Sequence, residues 1–128
     1  MEQDYISVQN SRFNVQETMD KIASGLAAKG VTIYSRINQQ QEAARAGLRL
    51  RPLEFLLFGN PHAGGQVMAV NPVAALDLPL KIIVWENAKG STLLAYNRTG
   101  FLESRYRLDA KSLAALDLTR FISELALE

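Results

Sequence analysis

The residues with the clearest chemical potential lie in one segment, Glu54-Phe55-Leu56-Leu57-Phe58-Gly59-Asn60-Pro61-His62-Ala63-Gly64-Gly65, where an apolar run gives way to glycines, a proline and the sole histidine. Backbone amides freed by Gly59, Gly64 and Gly65 can face a common point. A short helix starting near Gly65 would direct its positive end there, the arrangement that receives an anion or a phosphate. His62 has the pKa range for acid or base work near neutrality. Asp77, between Leu76 and Leu78, must either face water or accept backbone hydrogen bonds. An architectural account competes: Gly59 takes a positive φ, Asn60-Pro61 forms a rigid turn, Gly64-Gly65 permit close packing, and His62 is a solvated loop residue. The glycines lack the spacing of a phosphate loop or dinucleotide fingerprint, and no Gly-Lys-Ser or Gly-Lys-Thr follows them. One histidine excludes a multi-histidine metal centre, so a carboxylate-rich site would need Glu54, Asp77 or Glu86 to converge.

The elements that hold this segment alternate without any linker, as expected for one domain over residues 1–128. Tyr5-Ile6-Ser7-Val8 alternates at period two and predicts a strand closed by Gln9-Asn10-Ser11. Asn14, with Glu17 three positions on, predicts a capped helix carrying Val15, Met19, Ile22, Ala23 and Leu26 on one face and stopped by Gly30. A second strand, Val31 to Ile37, leads into Asn38 and a short helix from Gln39 to Ala46. Leu53 to Phe58 is too continuously apolar for a half-exposed strand and belongs in the sheet centre, with Pro52 at its start. Gln66 to Val70 predicts one or two helical turns, ended by Asn71-Pro72. Leu80 to Glu86 and Ser91 to Tyr96 flank Asn87-Ala88-Lys89-Gly90 as a hairpin, with Trp85 and Tyr96 in reach of one another across it. From Asp109 onward, Leu118, Phe121, Ile122 and Leu125 predict a terminal helix of about four turns.

Composition narrows the function classes. The chain is 48% hydrophobic and 21% charged, with fourteen Lys and Arg against thirteen Asp and Glu. A net charge of +1 supplies no field for nucleic acid or anionic lipid. The local basic excess, Lys29, Arg36, Arg45, Arg49 and Arg51 against Glu42, lacks the interleaved aromatics of a stacking surface. No window approaches a membrane span, and Met1-Glu2-Gln3-Asp4-Tyr5 has no leader pattern, which points to a cytoplasmic protein without membrane contact. Without cysteine there is no disulfide or thiolate chemistry.

Phe58-Gly59-Asn60-Pro61 followed by Gly64 or Gly65, then Ala75-Leu76-Asp77-Leu78-Pro79-Leu80-Lys81 running into Trp85-Glu86, resembles domain-of-unknown-function family 302 over roughly residues 10 to 105. The resemblance implies an α+β fold in which a curved antiparallel sheet has helices packed on one face. The order is TATA-binding-protein-like, β-α-β(4)-α with extra short helices, in small prokaryotic proteins often found as homodimers. It supplies no reaction and no cofactor. Where family members commonly carry an Asp-His pair after the second strand, this chain has Asn38-Gln39, which removes both titratable groups and leaves amides suited to orienting a ligand or closing a helix start.

Three classes follow. The first is a homodimeric small-ligand-binding or structural module, with a candidate set of Asn38, Phe58, Gly59, Asn60, Pro61, His62, Gly64, Asp77 and Trp85 and a small-molecule or anionic ligand. The second is an enzyme using Asp77 or His62 as acid or base beside the Gly59-Asn60-Pro61 loop, which requires His62, Asp77 and Asn38 to meet. The third, nucleic-acid binding on the sheet, is opposed by the charge balance.

Overall fold

The computed structural model of the chain describes residues 5–128, so the acidic opening Met1-Glu2-Gln3-Asp4 lies outside it. In chain order the elements are β1 (Ile6–Ser11), α1 (Val15–Ala28), β2 (Thr32–Asn38), α2 (Gln39–Arg45), β3 (Leu53–Gly59) and α3 (Pro61–Val70). A 3-10 turn (Pro72–Leu76) follows, then β4 (Leu80–Glu86), β5 (Thr92–Asn97), α4 (Thr99–Tyr106), α5 (Ala110–Ala115) and α6 (Thr119–Glu124). The strands form one antiparallel sheet in the order β1-β5-β4-β3-β2. β2 through β5 pair as sequential antiparallel neighbours, β2–β3 and β3–β4 connected through helices and β4–β5 as a hairpin, and α1 carries the chain from one edge strand to the other.

The capping residues of α1 act as the sequence predicts. The Asn14 side chain accepts from the Glu17 amide at 2.8 Å and the Glu17 carboxylate accepts from the Asn14 amide. Met19, Ile22 and Leu26 then fall on one stripe and are fully buried against Leu56 and Phe58 of β3, Ile82 and Val84 of β4, and Leu94 and Tyr96 of β5. Burying each such side chain contributes about 1.5–3 kcal/mol, enough to fix α1 on this face. Phe121 and Ile122 of α6 complete the same core. A second, smaller cluster of Val67, Ala74, Leu78, Leu102, Tyr106 and Leu116 sits at the end of the sheet where β3 finishes and β4 begins. The expected α+β architecture, with helices on one face of an open antiparallel sheet, is therefore present.

Several local expectations are corrected. Gln9-Asn10-Ser11 do not close the first strand but continue it, pairing with Leu94, Leu93 and Thr92. The terminal helix is broken into α5 and α6 because Leu116 points into the small cluster and Leu118 into the main core, with Asp117 accepting from the Thr119 amide at the join. The helix α4 is an addition, buried through Leu102 and Tyr106 with Phe101 packed beside them. Trp85 and Tyr96 do not meet: Trp85 registers with Leu93 on one sheet face, whereas Tyr96 registers with Ile82 on the other. The hairpin itself forms, with Gly90 at φ +82° and the Asn87 side chain accepting from the Lys89 and Ser91 amides.

Four of the five residues of the basic excess sit in ion pairs: Lys29 with Glu124, Arg36 with Asp20 and Glu54, Arg45 with Glu42, and Arg51 with Glu86. Arg36 joins α1 to the sheet, since its Nε donates to the buried Glu54 at 2.7 Å and its Nη1 to Asp20. Burial opposes its charge, yet the Glu54 and Asp20 carboxylates outweigh that and hold its pKa above the ordinary value.

Candidate functional site

The segment singled out by its residue types does shape a cleft. Asn60 ends β3 and caps α3, its side-chain oxygen accepting from the His62 amide at 2.9 Å and the Ala63 amide at 3.2 Å. Pro61 occupies the first helical position, where its missing N–H costs nothing. The helix thus begins at Pro61 rather than near Gly65, and Gly64 and Gly65 lie inside it. The Gly64 amide donates to the Asn60 carbonyl at 2.8 Å. With Pro61 lacking an N–H and the next three amides engaged, this helix start presents no free donors to an anion.

Beside it lies a cleft of about 350 Å3. Its lining combines Tyr34 of β2, Gly59 of β3, Asn60, Pro61, Gly64 and Met68 of the α3 segment, Leu78 and Pro79 ahead of β4, Leu80 at its start, and Leu116. Gly59 is not in the left-handed region, contrary to the expectation of a positive φ. Its role is spatial: a Cβ there would lie 3.7 Å from the Tyr34 ring and 3.8 Å from Pro79, so the bare backbone forms a floor between two rings. Tyr34 reaches this position because the β2–β3 register shifts between Ile33 and Ser35, a bulge that re-aims its ring. Composition gives no sign of Tyr34 as a site residue. The one sequence signal is beside it: Ser35 interrupts the apolar alternation of Val31, Ile33 and Ile37.

A second cleft, of about 300 Å3, shares Leu78-Pro79-Leu80 with the first and brings Asp77, Lys81 and Asn97 to its lining. Asp77 accepts a hydrogen bond from the Tyr106 hydroxyl and is an ion-pair partner of Arg105 at 3.3 Å. Burial raises the Tyr106 pKa, and the Asp77 hydrogen bond and negative charge raise it further.

Of the residues named from sequence, Gly59, Asn60, Pro61 and Gly64 converge on the first cleft. His62 is exposed on the first turn of α3. Asp77 belongs to the neighbouring cleft, and Phe58 is buried in the main core. Asn38 and Trp85 register with Glu54 and Leu53, at the opposite end of β3 from Gly59, which at 3.3 Å per residue is roughly 16–20 Å away. Asn38 caps α2 there, accepting from the Gln41 amide at 3.0 Å. His62, Asp77 and Asn38 thus do not share a cleft. Among the described residues, no three His, Asp or Glu side chains are grouped to hold a metal ion.

An open antiparallel sheet, helix-covered on one face and carrying a cleft where an interior strand ends in a capped helix, defines a small α+β sandwich. The chain belongs to the family described as Domain of unknown function DUF302, which matches residues 6–125. Its fold is similar to the crystal structure of uncharacterized conserved protein DUF302 from Bacillus stearothermophilus, with a TM-score of 0.75 and 18% identity over 95% of this chain and 93% of that one. It is also similar to a protein named fluoride-specific ion channel FluC 1 of Brucella suis, 33% identical over 106 residues, 83% of this chain and 42% of that protein. A protein of the same name from Brucella abortus is 33% identical, with 39% of its length covered. The chain thus spans about two fifths of the length of these relatives.

Proposed function

We propose that this chain is a small-molecule-binding module whose ligand occupies the cleft between Tyr34, Gly59 and the start of α3. The observation that carries this reading is the cleft itself: about 350 Å3 falls within the range of small-ligand sites, and it is walled by rings and apolar side chains on rigid elements. Catalysis is the weaker reading, because Asp77 is engaged by Tyr106 and Arg105, and His62 stands apart from it. Conduction is not proposed. The match covers 42% of the Brucella suis protein, and among the described residues no helix is long and apolar enough to cross a membrane. The test is Nile red fluorescence with wild type and Gly64→Leu. Position 64 lines the cleft, and a Cβ there meets only Met68 at 3.9 Å, so the larger side chain fills the space without displacing backbone. Enhancement lost in the variant supports the reading; equal enhancement in a folded variant refutes it.

A second reading, that the module works as a homodimer, is favoured by the sheet face opposite α1. In register across the five strands, Val8, Ala95, Ile83, Phe55 and Ile37 form one apolar row, with Leu93, Trp85 and Leu53 alongside. None of these belongs to either core cluster. β1 is polarised towards this face: Ile6 and Val8 point to it, 46% and 53% exposed, while Ser7, Gln9 and Ser11 take the helix side. An edge strand that aims its apolar residues away from its own core is suited to a second layer, and a second copy supplies one of matching shape.

A further inference from the structure

Resting on the cleft as a ligand site, we infer that its ligand class is neutral and largely apolar, with at most one hydrogen-bonding group, and that carboxylates and phosphates are excluded. Four observations converge. None of the ten lining residues is charged, and the chain carries no Lys, Arg, Asp or Glu between Glu54 and Asp77, the stretch that supplies half of the wall. The helix start at the cleft, the feature that would receive an anion in a glycine-rich loop, has its amides closed by Asn60 and Pro61. Asp77, the residue before the lining Leu78, is paired with Arg105. Gly59 leaves a bare floor between the Tyr34 and Pro79 rings, with Met68 and Leu116 on the remaining walls, a surface that rewards apolar contact. The polar groups on offer are the Tyr34 hydroxyl and the Asn60 amide, whose oxygen is already committed to two backbone donors. An anion entering this cleft would lose part of its hydration, with no charged lining side chain and no free amide at the start of α3 to replace it.

The cleft therefore sorts ligands by charge first and by shape second. The experiment is a pair of two-dimensional amide NMR titrations at pH 7 with 1-naphthol and 1-naphthoate, which share a ring system and differ in charge. The expected result is that 1-naphthol shifts the Gly59, Gly64 and Leu80 amides and binds at least about tenfold more tightly than 1-naphthoate, a difference of about 1.4 kcal/mol. Gly64→Leu should abolish both sets of shifts. Equal or tighter binding of 1-naphthoate at those amides overturns the neutral class while leaving the cleft as a ligand site. Failure of both probes to shift those amides overturns the ligand site and the class with it. Should Gly64→Leu fail to fold, Gly59→Leu serves the same comparison, because its side chain starts on the cleft floor.

Discussion

The substitution Val8→Asp tests the sheet face opposite α1 most directly. Five strands spaced about 4.8 Å apart and about 20 Å long give each face a footprint of about 480 Å2. Two such faces supply roughly 960 Å2, somewhat below the 1,200–2,000 Å2 of standard interfaces. The dimer expected is therefore a weak, reversible one. Val8 retains 53% of its surface in the isolated chain. Covering that remainder recovers about half of the 1.5–3 kcal/mol of full burial, so about 1 kcal/mol per protomer and about 2 kcal/mol per two-fold dimer. Aspartate forfeits this and adds two unpaired carboxylates to a dry interface, which brings the loss to at least about 3 kcal/mol, or a hundredfold in dimer Kd. The fold itself should lose less than about 1 kcal/mol, since the site is an exposed position on an edge strand. Sedimentation velocity from about 1 to 100 µM reads the equilibrium, and far-UV circular dichroism verifies that the variant is folded. A wild type that stays monomeric throughout, or a folded variant with unchanged Kd, refutes the argument.

Three further outcomes follow from local geometry. Asn60→Ala removes the acceptor for two helix amides and should cost about 1 kcal/mol, lowering Tm by about 3–5 °C in a calorimetric scan. Gly59→Ala should be at least as stable as wild type to urea, because the backbone there is not left-handed and the new methyl meets its neighbours at 3.7 and 3.8 Å; a marked destabilisation would show a strain absent from this geometry. The pKa of Tyr106 is raised by burial and by Asp77, so the folded state holds that proton more tightly than the unfolded chain. Its stabilising contribution is complete below the unfolded value near 10 and declines as pH rises through the folded one. Urea midpoints from pH 9 to 11 should therefore fall more steeply for wild type than for Tyr106→Phe, and parallel profiles would refute the assignment.

Much of the fold was legible because local and tertiary signals agree. The Asn14 and Glu17 cap, the stripe from Val15 to Leu26 and the Asn87–Gly90 turn each specify one structure on their own. The misreadings arise where tertiary demands override local ones. Gln9 and Asn10 look like turn residues but remain in β1 because β5 pairs with them throughout. The Ala- and Leu-rich C-terminus looks like one helix but must serve two clusters. α4 has no side-chain cap and only two buried residues, four apart, so its sequence carries little periodic signal. Gly64-Gly65 look like a loop, yet Asn60-Pro61 had already started a helix with the proline in its first turn.

The same logic explains why the site was only half legible. Residue types that attract attention for chemistry, His62 and Asp77, are the ones directed elsewhere, to solvent and to Tyr106 with Arg105. The groups that complete the cleft, Tyr34, Met68 and Leu116, come from three separated segments and carry no catalytic signature. Tyr34 arrives only through a bulge, and Leu116 only through the break between α5 and α6. Both are irregularities that periodicity reads as defects and that place a side chain where the regular element would not. A cleft built in this way is suited to the proposed kind of ligand, one selected by shape and by the absence of charge. Residue types along the chain therefore mark where it lies, through Gly59-Asn60-Pro61, and the walls that complete it emerge only once the strands are paired.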